Sequence, residues 1–136
     1  MPIQFDVPPG TVLLCDYSSG FREPEMVKRR PALVISPRLR QRTGLCTVVP
    51  LSTTPPDAPQ AYHIELEMPF PLPAPWASEH AWAKGDMLAT VSFERLDLFR
   101  TDRDQYGKRK YLKPRISAEQ LSQVRECVKH ALGLLT

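Results

Sequence analysis

Two polar clusters flank two apolar stretches in the first half of the chain, and their side chains are suited to binding an anion. Residues 28–30 (Lys-Arg-Arg) come directly before the apolar residues 32–35, and residues 52–54 (Ser-Thr-Thr) come directly after the apolar residues 45–51. Both apolar stretches are rich in β-branched residues and bounded by Pro, Ser or Gly, which is typical of buried strands. If the strands pair, a guanidinium group and a hydroxyl lie at the same end of the sheet. Phosphate is the anion that this pair fits best.

Length and composition indicate which kind of chain positions these groups. The 136 residues, 42% hydrophobic and 24% charged, predict one soluble domain over residues 1–136. Fifteen prolines favour short strands and ordered loops over long helices. No apolar run approaches the roughly 18 to 20 residues that cross a bilayer. Residues 1–9 lack a signal-peptide pattern, so we expect a cytoplasmic protein with no membrane partner.

Positive charge is concentrated in two stretches of the sequence, although the net charge is only +3. Residues 28–42 carry six Lys and Arg residues and no acidic residue, and residues 100–115 carry four Arg and three Lys against two Asp. These stretches either line a nucleic-acid surface or form solvated loops. The three cysteines are widely spaced and odd in number, which predicts buried free thiols rather than disulfides or a zinc site. The sequence predicts neither a metal ion nor a cofactor.

Hydrophobic patterns predict a series of short strands. They fall at residues 11–17, 31–36, 45–52, 62–67, 79–84 and 87–93. Residues 18–28 form a loop of about ten residues, longer than the 2 to 5 residues of a typical hairpin loop, which favours a functional role. Residues 68–76 read M-P-F-P-L-P-A-P-W and should run extended. They either pack over the core through Phe70, Leu72 and Trp76 or dock a proline-reading module.

One helix is predicted, at the end of the chain. Ser117 is a suitable N-cap with Gln120 at capping-box spacing, and Ile116 and Leu121 can form a hydrophobic staple. An apolar face follows, made of Leu121, Val124, Val128, Ala131, Leu132 and Leu135. We therefore expect a mainly β fold with a C-terminal helix (α+β), in which five to seven strands form a small β-barrel or strongly curved sheet with the helix packed on it.

Arg30-Pro31 opens a strand that reads A-L-V-I-S-P, and T-V-V-P-L-S-T forms the next strand. These segments, in this order, resemble the MazF/PemK toxins, which are sequence-cutting endoribonucleases of bacterial toxin–antitoxin pairs. The resemblance is strongest over residues 10–54, extends to residues 79–96 and is supported by residues 116–134. It implies an SH3-like barrel that dimerises and cuts single-stranded RNA without a metal. The 2′-hydroxyl of the RNA attacks the adjacent phosphorus, leaving a 2′,3′-cyclic phosphate and a 5′-hydroxyl.

The resemblance also assigns candidate site residues. The family's active-site arginine, directly before the strand-opening proline, corresponds to Arg30, and its hydroxyl residue at the end of the next strand corresponds to Ser52. Thr53 is a nearby alternate, and a looser match brings in Lys84 and Asp86. Arg30 offers a planar fork of donors to a phosphate and Ser52 a further hydrogen bond, whereas arginine is a poor general base. The base stays open between Asp86 and His63.

The remaining expectations concern RNA contacts, the partner and departures from the family. Lys28 and Arg29, with Thr53, Lys84 and Asp86, are expected to contact RNA, and an acidic antitoxin is expected to occupy the basic groove. Many members carry a Gly-x-Glu-Gln-like stretch in the first loop, where this chain reads S-G-F-R-E-P-E, and the proline-rich segment has no obvious counterpart. The altered loop either changes the RNA sequence that is read or abolishes activity. The alternative is a noncatalytic SH3-like barrel that binds nucleic acid or a protein target.

Overall fold

The computed structural model describes residues 2–69, 71–103, 105–107 and 109–135. The strands are β1 (Val12–Asp16), β2 (Arg29–Val34), β3 (Leu45–Ser52), β4 (His63–Glu67), β5 (His80–Lys84), β6 (Ala89–Ser92), β7 (Leu96–Asp97), β8 (Phe99–Arg103) and β9 (Arg109–Leu112). Two 3₁₀ turns, Gly85–Met87 and Phe93–Arg95, flank β6, and α1 spans Ala118–Ala131. A mainly β fold with one C-terminal α-helix is therefore confirmed. No described helix has the length and apolar character needed to cross a bilayer.

The main sheet is antiparallel, with the strand order β4-β5-β3-β2-β1-β7 and β6 paired to β3. β8 and β9 form a separate hairpin. The pairings among the described residues do not close the main sheet into a cylinder, so the SH3-like barrel stays a prediction. The hairpin begins at Phe99 and otherwise lies in the basic stretch 100–115, where no strand was predicted because the residues are mostly charged or polar.

Each face of the main sheet carries its own apolar core, because successive side chains of a strand point to opposite faces. The helix-side core contains Leu33 of β2 and Leu51 of β3, covered by Val124 and Val128 of α1. The second core contains the alternate residues of the same strands, such as Ala32 and Val48. Apolar side chains thus cover both faces of the sheet, and a polar site can form where the strands extend beyond these cores.

Local signals at the helix start are confirmed. The Ser117 hydroxyl accepts a hydrogen bond from the backbone N–H of Gln120, whose side chain accepts one from the backbone N–H of Ser117. The predicted apolar face is wrong at its end, because Leu132 is 58% exposed and the helix ends at Ala131. Gly133 adopts φ 75°, a left-handed conformation that ends helices. Cys127, left out of the predicted face, is buried beside Val124 and Val128.

The proline-rich segment lies over the helix-side core rather than running free. Leu72 is 2% exposed, and the Trp76 ring packs edge-on against Phe99 with the ring centroids 5.9 Å apart. The segment is not extended throughout, because the backbone N–H of Trp76 donates to the carbonyl of Pro73 in a turn. Phe70 lies outside the described residues. Packing, not display of a docking peptide, is the arrangement that these contacts favour.

The three cysteines are free and buried, as predicted. Burial raises the pKa of Cys15 to about 11 and that of Cys46 to about 12, and it also raises the pKa of Cys127. Because the thiolate is the reactive form, we expect an aromatic disulfide reagent to leave all three thiols unmodified at neutral pH until the protein unfolds. Absorbance of the released thiol, with and without denaturant, measures this. Rapid modification of the native protein would contradict it.

Candidate active site

Arg29 and Arg30 lie on opposite faces of the sheet. Both belong to β2, where Arg30 is opposite Cys15 and Arg29 opposite Asp16 on β1. Arg30 follows the alternation of the second core, whereas Arg29 lines a cleft of about 320 Å³ with Trp76, Arg100 and other residues. The structure therefore separates two arginines that are neighbours in the sequence.

Arg30 lines an open groove of about 550 Å³ formed with the end of the first loop, residues 23–27, and with Met87. A second, more apolar groove of about 540 Å³ shares Pro24, Glu25, Met26 and Met87 with it and continues to Tyr17, Phe21 and Asp86. We call this continuous surface the Arg30 groove. It offers a guanidinium group at one end, carboxylates along its rim and an apolar floor.

Ser52 lies on the same face as Arg30. The last β2–β3 pair is Ala32 opposite Pro50, and extending this register by two residues would bring Arg30 opposite Ser52. Ser52 is 5% exposed, and its hydroxyl accepts from the backbone N–H of Thr54 at 3.1 Å and donates to the Thr54 carbonyl at 3.2 Å. A hydroxyl has a single proton, so Ser52 can donate to a phosphate only by releasing the Thr54 carbonyl, while it can keep the N–H.

The other predicted site residues do not all lie beside Arg30 and Ser52. Lys84 ends β5 on the face of Arg30 and Ser52, opposite His63 of β4. Asp86 is exposed and lines the Arg30 groove. Lys28 and Thr53 are both exposed, Lys28 at the end of the first loop with φ 75° and Thr53 just beyond β3. Of the predicted residues, Arg30 and Asp86 line the groove itself, whereas Arg29 faces the other side of the sheet.

Arg95 fixes the first loop, and sequence reasoning gave no sign of this role. Its guanidinium Nη1 donates to the carbonyls of Asp16 at 3.0 Å and Ser19 at 2.7 Å. The same guanidinium lies 4.8 Å from the centre of the Phe21 ring, which in turn packs edge-on against Tyr17. The distance in sequence explains the omission, because Ser19 and Arg95 are 76 residues apart. The length of the loop was the one signal pointing to groove residues such as Glu25.

The carboxylate of Asp16, at the start of the same loop, already accepts hydrogen bonds. The donors are the Ser18 hydroxyl and the Ser18 backbone N–H, and these bonds lower the pKa of Asp16. A carboxylate with a lowered pKa is a weaker base, so Asp16 is better suited to holding the turn than to accepting a proton. Among the described residues, no group of three or more His, Cys, Asp or Glu side chains is placed to hold a metal ion.

Comparison with known proteins places this geometry in a family. The model of the family described as PemK-like, MazF-like toxin of type II toxin–antitoxin system matches residues 9–132. The chain belongs to this family. No curated protein matches it closely enough to be informative.

Three solved structures share the fold of this PemK/MazF-like toxin. MazF from Deinococcus radiodurans is 19% identical, with a TM-score of 0.62, 96% of this chain covered and 99% of that one. An endoribonuclease in complex with its cognate antitoxin from a mycobacterial species is 18% identical, with a TM-score of 0.60 and coverage of 96% and 99%. The Mycobacterium tuberculosis toxin MazF-mt6 is 16% identical, with a TM-score of 0.60 and coverage of 93% and 99%.

Proposed function

We propose that this PemK/MazF-like toxin is an endoribonuclease that cuts single-stranded RNA at short sequences without a metal ion. The observation that carries the proposal is that Arg30 and Ser52 lie on one face of the sheet at the same end of the paired strands β2 and β3, with Arg30 lining an open groove. The family match and the naming of a similar structure as an endoribonuclease support the same activity.

The proposed reaction is an internal transfer of the phosphoryl group. The 2′-oxygen of the RNA forms a bond to the adjacent phosphorus while the bond from phosphorus to the 5′-oxygen breaks. The 2′-hydroxyl loses its proton to a base, and the departing 5′-oxygen gains a proton. The products are a 2′,3′-cyclic phosphate and a 5′-hydroxyl.

Arg30 and Ser52 have complementary parts in this reaction. Negative charge grows on the nonbridging oxygens, and a prepositioned guanidinium stabilises it most effectively where water is excluded. The Nε of Arg30 is buried and has no hydrogen-bond acceptor among the described residues, so a phosphate oxygen would satisfy it. Ser52 would donate its proton to the same phosphate once the weak bond to the Thr54 carbonyl is released.

Carboxylates near Arg30 provide candidates for the base. Asp86, proposed from the sequence, and the newly found Glu23 and Glu25 all line the Arg30 groove. His63, the other sequence candidate, lies on β4, and its Nδ1 already accepts a hydrogen bond from the backbone N–H of Gln60 at 3.0 Å. The groove therefore favours a carboxylate over His63 as the base.

The assembly and regulation of the toxin belong to the same proposal. We propose that it acts in the cytoplasm as a homodimer and that an acidic antitoxin inhibits it by occupying basic surface, to which Arg30 and Lys84 contribute on one face of the sheet. The net charge of +3 suits an acidic partner, and the similar mycobacterial structure is named as a complex with its antitoxin.

The test is cleavage of a long RNA by the purified protein in the presence of EDTA, with the ends of the products mapped. We expect cuts at one short sequence, fragments ending in 2′,3′-cyclic phosphate and 5′-hydroxyl, and no loss of rate with chelator. Salt-sensitive RNA binding without products would favour the noncatalytic barrel instead. Cleavage that stops in EDTA would remove the metal-free mechanism.

A further inference from the structure

Trp82 lies next to Ser52 on the face of the sheet that carries Arg30. The β3–β5 register places Ser52 opposite Trp82, and antiparallel partners point to the same face. Ala81 and Ala83, which flank Trp82, belong to the helix-side core, so the indole points away from the helix. When the β2–β3 register is extended by two residues beyond its last pair, Ala32–Pro50, the order of side chains across the three strands is Arg30, Ser52, Trp82.

Both outer members of this row carry a buried N–H group that has no hydrogen-bond acceptor. These groups are Nε of Arg30 and Nε1 of Trp82, and neither has a partner within the described part of the chain. Leaving a buried donor unpaired is destabilising, so such groups are uncommon and call for an explanation. Glu65, opposite Trp82 on β4, carries the nearest carboxylate along the register, yet it does not accept the indole N–H.

We propose that the indole N–H of Trp82 is a third phosphate-binding group, donating to a nonbridging oxygen of the phosphate held by Arg30 and Ser52. This inference rests on the proposed function, whose substrate supplies the phosphate. A phosphate has several acceptor oxygens around one phosphorus atom. Donors on three adjacent strands can therefore each bind a different oxygen. Tryptophan donates only, so its N–H can be satisfied only by an acceptor such as a phosphate oxygen.

A neutral donor contributes differently from a second cation. The indole N–H adds no charge to the site, so it orients the phosphate without attracting polyanions in general. The ring also fills the space beside Ser52 and limits the access of water, which strengthens every hydrogen bond made there. Loss of the N–H alone should therefore weaken cleavage while leaving the salt dependence of RNA binding almost unchanged.

The experiment compares Trp82→Phe with Trp76→Phe, which removes the other tryptophan and leaves the proposed site intact. Trp82→Phe keeps an aromatic ring but lacks the donor. We expect kcat/KM for RNA cleavage to fall about tenfold to a hundredfold in Trp82→Phe, as for a lost hydrogen bond to a charged group, and to stay within twofold in Trp76→Phe. Thermal unfolding of both variants checks that they are folded.

An NMR measurement separates this inference from the proposed function. In ¹⁵N-labelled Trp76→Phe the remaining indole N–H signal belongs to Trp82. We expect it to move downfield when a noncleavable oligonucleotide with a 2′-deoxy scissile nucleotide is added. If the indole signal shifts but the unsubstituted protein cleaves no RNA, the phosphate site at Trp82 is supported and the proposed nuclease activity is contradicted. Cleavage with an unmoved indole signal, or with Trp82→Phe as active as Trp76→Phe, would overturn the role of Trp82 and keep the nuclease.

Discussion

Arg30→Ala is expected to lower kcat/KM for RNA cleavage by at least about 10²–10³-fold, with the fold unchanged. The size follows from removing a prepositioned donor that stabilises charge in the transition state. Arg30 lines the groove and lies on the same face of the sheet as Ser52, and its buried Nε has no acceptor among the described residues. Single-turnover cleavage of an RNA that carries the mapped site measures the effect, and circular dichroism verifies the fold.

Arg29→Ala is the matched control for this experiment. It removes the same side chain and the same charge one residue earlier in β2, but Arg29 faces the cleft with Trp76 and Arg100 on the other side of the sheet. We expect Arg29→Ala to weaken RNA binding modestly, through lost long-range attraction, and to keep most of the cleavage rate. Equal losses in the two variants would mean that net charge, not position, governs cleavage. Full activity in Arg30→Ala would remove Arg30 from the mechanism.

Phe99→Ala is expected to have the largest effect on stability, lowering the free energy of unfolding by about 3–5 kcal/mol. Phe99 is 1% exposed at the start of β8, and the Trp76 ring packs against it. Its removal leaves a cavity where the proline-rich segment, β8 and the helix-side core meet. Urea unfolding followed by circular dichroism gives the change in free energy from the shift in midpoint.

Phe5→Ala provides the comparison for Phe99→Ala. Phe5 is 49% exposed, and the Lys113 ammonium lies 5.0 Å from the centre of its ring. Exposed contacts of this kind are worth about 0.5–1 kcal/mol, so the loss should be several times smaller than for Phe99. Similar losses in both variants would show that the proline-rich segment is not tied to the core through Phe99.

Sequence patterning predicted the elements whose signals are local. The bounds of β3 and the capping box at Ser117 are confirmed because strong β-branched periodicity and cap chemistry act over a few residues. β8 and β9 were missed because charged and polar residues conceal the alternation of a hairpin. The predicted apolar face of α1 was wrong at its C-terminal end. The helix ends at Ala131, with Gly133 in a left-handed conformation, so Leu132 lies beyond it.

The residue types of the candidate site were predictable from the sequence, but the faces of Arg29 and Arg30 depend on where β2 begins. The predicted second strand begins at Pro31, which leaves both arginines in a loop where they could face the same ligand. β2 begins at Arg29, so alternation sends the two guanidinium groups to opposite faces. The part played by Trp82 depends on the β3–β5 register, and pairing between distant strands leaves no mark in a single sequence.

Gly85 connects the groove to the helix in a way that concerns motion. A Cβ atom at this position would lie 3.0 Å from backbone atoms of Tyr62, Cys127 and Val128, so the turn at Gly85–Met87 rests directly against the α1 backbone. Asp86 and Met87, the next two residues, line the groove. Because this contact is between backbone atoms, we expect this wall of the groove and the C-terminal helix to open as one cooperative unit in hydrogen exchange. A partner that displaced α1 would thereby reshape the groove without touching it.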